Sequence, residues 1–129
     1  MKKLFLFAVV AILSIASYAQ QPEWKQMEEF HSVMSKTFHP AEEGNLKPTK
    51  DNAAELVAKA KTWESSAVPA GYDAKAAKPI LKKLVESCNA VQAGVKAKKT
   101  DKELVALMTN AHDAFHEFAE KCKPGSEKH

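Results

Sequence analysis

Two histidines one helical turn apart, His112 and His116 in Asn110-Ala-His-Asp-Ala-Phe-His-Glu-Phe118, are the residues of this chain best spaced to do chemistry. At i and i+4 two imidazoles lie on one helix face, about 6 Å apart along the axis, which is chelating geometry. A second set stands near the other end of the chain. In Trp24-Lys-Gln-Met-Glu-Glu-Phe-His-Ser-Val-Met34, residues Met27, His31 and Met34 recur at spacings of four and three. Neutral imidazole suits zinc, copper, nickel or iron, and thioether sulfur adds a preference for Cu(I), so a mixed His/Met set points to copper first and zinc second. A further candidate is His39 with Glu42 and Glu43, an oxygen-rich group in the stretch His39–Pro48, which reads as a turn-rich loop.

For these residues to act together they must be carried on elements that converge. Helix is the dominant pattern. Trp24, Met27, His31, Met34 and Phe38, widened by Phe30 and Val33, form one apolar stripe that Pro40 and Gly44 should end. A second helix is expected from Thr49 to Asp51 through Ser65, with Leu56, Ala60 and Trp63 inward. The third should run from about Asp73 to Lys96, starting nearer Ala77 if Pro79 occupies its first turn. Thr100-Asp-Lys-Glu103 is a capping box that marks the start of the fourth. Four amphipathic helices with no strand-like alternation predict an all-α, antiparallel up-down-up-down four-helix bundle.

In such a bundle the first and last helices are antiparallel neighbours. Matching their ends sets His31 opposite His112, Met27 opposite His116 and Met34 opposite Met108. His31 is then expected at a central inward position.

The chain opens on an address. Lys2 and Lys3 precede an apolar run from Leu4 to Ile15, and Ser17-Tyr-Ala19 is a small-x-small cleavage site. The expected division is a signal peptide over 1–19 and a single domain over 20–129, exported to the periplasm or the outside. The run is too short to span a bilayer comfortably, no second long apolar run follows, and no Cys follows the first that could be lipidated. Loss of Lys2 and Lys3 brings 19 basic residues close to balance with 16 acidic ones. Every basic residue is Lys; without the bidentate Arg fork, nucleic acid is a poor match as partner.

Two cysteines in an exported chain invite a disulfide. If the third and fourth helices form a hairpin, however, Cys88 and Cys122 are separated by roughly 20 Å of helical rise, so no intramolecular bridge is expected. Cys88 reads as a core residue, and Cys122 as a semi-exposed thiol near the bundle end. Catalysis is the weakest class. No Ser/His/Asp arrangement or glycine-rich phosphate loop occurs, and Cys88 has no basic neighbour to activate it. Glu28-x-x-His31 and Asp113-x-x-His116 have the spacing of di-metal carboxylate bundles, but Glu55 and Glu86, which would complete such a site, fall off the apolar stripes.

A chain of this size with an export leader, a Met in the first turns of its first helix and Asp113-Ala-Phe-His116 near its end resembles the small periplasmic b-type cytochromes of the four-helix-bundle class. Its architecture is also similar to that of the cytochrome c-prime group. The resemblance implies a non-covalent haem b with Met27 and His116 as axial ligands, Phe30, Phe115 and Phe118 as pocket walls, and electron transfer as the role. The Cys-x-x-Cys-His attachment motif is absent, which excludes covalent haem.

Three expectations therefore stand together. The chain could bind copper or zinc through His31, His112 and His116 with Met27 or Met34, for buffering, sensing or delivery. It could carry haem between Met27 and His116. Or it could be a structural or partner-binding bundle with no ligand.

Overall fold

The computed structural model describes residues 23–122, so the leader, its cleavage site and the chain beyond Cys122 lie outside the described residues. Four helices follow one another: α1 (Lys25–Glu42), α2 (Lys47–Ser65), α3 (Ala74–Lys96) and α4 (Asp101–Lys121). Among the described residues there is no strand, and no helix is long and apolar enough to cross a membrane.

Local chemistry explains the boundaries. Pro40 does not end α1; the helix carries it one turn from the C-terminus and runs on to Glu42. Its missing N–H removes the bond to the Lys36 carbonyl, and the helix ends within one turn, where the Pro40 carbonyl accepts from the N–H groups of Glu43 and Asn45 at 3.0 and 2.9 Å. Gly44, at φ +89°, then turns the chain. Pro48 sits in the first turn of α2, where no N–H is needed, so that helix begins a few residues before Thr49. The Asp73 side chain accepts from the Ala76 N–H at 3.1 Å and starts α3 at Ala74, with Pro79 inside it.

The α3–α4 hairpin is closed by two motifs in succession. The N–H groups of Lys98 and Lys99 donate to the carbonyls of Val95 and Gly94, with Lys98 at φ +57°, a Schellman ending made without glycine. The capping box follows: Thr100 Oγ1 accepts from the Glu103 N–H at 3.2 Å, and the Glu103 carboxylate accepts from the Thr100 N–H at 3.0 Å. Gly94 lets the helices close here, since a Cβ on it would stand 2.8 Å from Leu107 Cδ1.

Cross-helix pairs fix the directions. Glu29 meets Lys59 and Lys36 meets Glu55 between α1 and α2, Lys83 meets Glu117 between α3 and α4, and Trp24 packs on Phe118 while Phe38 packs on His112 between α1 and α4. Each pair of neighbours is antiparallel, and the four form a closed ring, α1 to α2 to α3 to α4 and back to α1.

The inward stripes meet in one core built around Phe30, Leu56, Trp63, Leu84, Cys88, Met108 and Phe118, all fully buried. Aromatic rings concentrate at the end where α1 begins. Trp63 lies edge-on to Phe118 at 4.8 Å and to Trp24 at 5.9 Å, geometries favoured by the ring quadrupoles. Trp24 Nε1 donates to Ser66 Oγ at 2.8 Å, tying the start of α1 to the end of α2. The closing interface of the ring, α1 against α4, is the thinnest of the four, and the histidines lie along it.

Candidate metal-binding groove

The positions of the histidines follow from the phase of the two stripes. On α1 the residues turned fully inward are Phe30, Val33, Met34, Thr37, Phe38 and Ala41. His31 follows Phe30 by one residue, a turn of about 100°, which takes it off the core face. It is exposed, not the central inward residue that the 3-4 spacing predicts. Thr37 belongs to the stripe instead, its hydroxyl satisfied by the Val33 and Met34 carbonyls at 2.9 and 3.1 Å. On α4 the buried positions are Leu104, Met108, Ala111, Ala114 and Phe118, which leaves His112 and His116 on the flank that faces α1.

That flank is a groove of about 140 Å³ between α1 and α4. Four of the five histidines in the chain, His31, His39, His112 and His116, line it, with Phe38 and Phe115 as apolar walls and Met34 and Ser35 between them. The ring centroids of His112 and His116 are 4.4 Å apart, as the i, i+4 spacing requires. His112 lies flat on Phe38, centroids 3.9 Å apart and planes within 10°, and His31 lies flat on Phe115 at 5.0 Å. The register is thus shifted from the end-matched one: His31 faces Phe115 rather than His112, and Phe38 takes the place opposite His112.

The other candidates divide. Met34 is 1% exposed and forms part of the groove lining, while Met27 packs against the core without lining the groove, and Met108 is fully buried. Met27 and His116 are therefore not brought into one groove. Of Phe30, Phe115 and Phe118, the walls of a haem pocket in the cytochrome resemblance, Phe30 and Phe118 pack on Trp63 in the core, while Phe115 touches Phe30 and Trp63 and also walls the groove. The groove's volume is also below the roughly 300 Å³ at which pockets for organic ligands begin. The His39 group moves the other way. Because α1 continues through Pro40, His39 and Glu42 share its last turn rather than a loop, with His39 Nδ1 3.5 Å from Glu42 Oε1. His39 thereby joins the main groove, and only Glu43, an exposed C-cap residue, stays apart. The sequence signal for this was present: a Pro one turn from a helix end need not stop the helix, and His39 directly follows the stripe residue Phe38.

Electrostatics favour the neutral imidazole. Burial pushes the pKa of His112 down, and the nearby charge sites of His116 and His39 push the same way, with Asp113 and Glu42 partly offsetting them. A neutral ring is the form that coordinates a metal. No group of three His, Cys, Asp or Glu side chains among the described residues is already arranged to hold an ion. The groove presents one assembled pair, with two more imidazoles within the same lining.

The cysteines take no part. Both are free and buried, and Cys122, at 1% exposed, continues the α4 stripe one turn beyond Phe118 rather than standing semi-exposed. Burial raises Cys88 to about 12; Cys122 rises to about 11 from burial and the charges of Asp73 and Glu117. Neither thiol is activated. Glu55 and Glu86 are exposed, Glu55 pairing with Lys36, so the carboxylates of a di-metal site are not turned inward.

No protein-family model, curated protein or solved structure matches this chain.

Proposed function

We propose that this chain is an exported binding protein for a copper or zinc ion, taken up in the α1–α4 groove. The observation that carries the proposal is the gathering of four of five histidines into one groove, with His112 and His116 only 4.4 Å apart. Stacking on Phe38 and Phe115 accounts for part of the packing of His112 and His31, but it calls for no imidazole in particular and does not account for His39 and His116, both exposed, lining the same groove.

His112 and His116 form the chelating pair, since both project from successive turns of a rigid helix. His39 supplies the third nitrogen from α1, at the end of the groove where Phe38 meets His112. His31 stands eight residues earlier, about 12 Å away along the axis, and lines the far end. It contributes less. Met34, almost fully buried, offers a thioether at the groove floor that would favour reduced copper. The role we assign is capture or delivery of the ion.

The test is calorimetric titration of the mature protein at pH 7.5 with Zn²⁺ and, separately, Cu²⁺. One tight equivalent is expected, lost in His112→Ala/His116→Ala, weakened strongly in His39→Ala and only slightly in His31→Ala. No saturable binding by the wild type, or unchanged binding by the double variant, refutes the proposal.

A further inference from the structure

We infer that Glu42 is a positioning residue for the metal: it holds the His39 ring by Nδ1 so that Nε2 is the nitrogen offered to the groove. The inference rests on the metal-binding proposal and adds the residue that orients its α1 ligand.

An isolated exposed histidine makes a poor ligand because its ring turns freely and either nitrogen can carry the proton. Metal-binding histidines are ordinarily fixed by a carboxylate or carbonyl that accepts the N–H of the other nitrogen, which selects the tautomer and makes the ligating nitrogen more basic. His39 is 69% exposed in its side chain and needs such a partner. Glu42 is placed to be it, one turn on, with Oε1 3.5 Å from Nδ1. That separation exceeds a hydrogen bond's, and a small rotation of either exposed side chain closes it. An imidazole engaged at Nδ1 directs Nε2 to the opposite side of its ring, and His39 already lines the groove. Glu42 is also near enough for its charge to act on His112 across the groove.

Helix continuity through Pro40 makes this possible. Had the chain left the helix at Pro40, His39 and Glu42 would not stand on one turn at i and i+3. Glu43 is the internal control. It is next in sequence and equally acidic, but it is the exposed C-cap residue and forms no ion pair among the described residues. A carboxylate that acts only through its charge would also change metal affinity, but it would leave the choice of ring nitrogen untouched, so the nitrogen that takes the metal is the reading that marks a positioning role.

The experiment compares wild type, Glu42→Gln and Glu43→Gln, each titrated with Zn²⁺ while the imidazole ¹⁵N resonances are followed by NMR. Expected are zinc on Nε2 of His39 with Nδ1 still protonated, a loss of roughly 10-fold or more in affinity in Glu42→Gln, and wild-type behaviour in Glu43→Gln. Both side chains are exposed, so circular dichroism should be the same for all three. Affinity of Glu42→Gln within twofold of wild type, zinc on Nδ1 of His39, or zinc binding that leaves the His39 resonances unmoved overturns the role of Glu42 while the groove keeps its metal. A wild type that binds no zinc takes both proposals down together.

Discussion

Occupation of the groove should staple α1 to α4 across the thinnest interface of the bundle, and removing the chelating pair should abolish that effect. His112→Ala/His116→Ala leaves His31 and His39 in the groove, about 12 Å apart along α1 and unable to chelate as a pair. The variant should therefore lose essentially all of the stabilisation by metal. An ion that binds only the folded chain stabilises it by about 2.7 kcal/mol when its free concentration is 100 times Kd. For a domain of about 100 residues each kcal/mol moves Tm by roughly 4 to 8 °C, so the wild type should melt roughly 10 to 20 °C higher. The assay is thermal unfolding by circular dichroism at pH 7.5, with Zn²⁺ buffered at 100 times the Kd found by titration, in wild type and double variant. Without metal the two should melt within a few degrees of each other, because neither His112 nor His116 is part of the buried core. A wild-type Tm that does not move with zinc refutes the reasoning, as does an equal rise in the variant. Repeating the melt at pH 5.5 adds a second check: protonated imidazoles do not coordinate, so most of the shift should vanish.

Apo stability should also depend on pH through His112. Its folded pKa lies below the ordinary value, so between that depressed value and about 6.5 the unfolded chain binds the additional proton. Stability is then full above about 6.5 and declines as pH falls through the window; in His112→Gln the slope of urea-unfolding free energy against pH over that range should flatten, and an unchanged slope would place the titration elsewhere. Phe118→Ala should cost about 3 to 5 kcal/mol in the same assay, a large part of the stability of a single domain, because Phe118 is fully buried and its ring packs on Trp24, Trp63 and Tyr72; a loss under about 1 kcal/mol would mean that the aromatic end is loosely packed. Cys88 and Cys122 should resist a thiol reagent such as DTNB at pH 8 until the chain is unfolded, and fast labelling of Cys122 in the folded protein would contradict its burial.

The sequence by itself determined the four helices, because their periodicity, the Thr100–Glu103 capping box and the stop-and-turn residues are local signals, and the antiparallel ring follows from short links between amphipathic helices. It also determined that His112 and His116 share a face, a matter of spacing alone. Tertiary structure decided everything that depends on helix phase and register. A stripe read at 3-4 spacing admits either His31 or its neighbour Phe30 at the centre of the face, and only packing against Trp63 and Phe115 selects Phe30, rotating His31 to the rim. Likewise a Pro one turn from a helix end permits the helix either to stop or to run on, and the choice made here puts His39 and Glu42 on one helical turn and His39 in the groove lining. The methionines show the same limit: Met27, Met34 and Met108 fit a ligand column or a core equally well in sequence, and the bundle places Met34 alone among them in the groove lining.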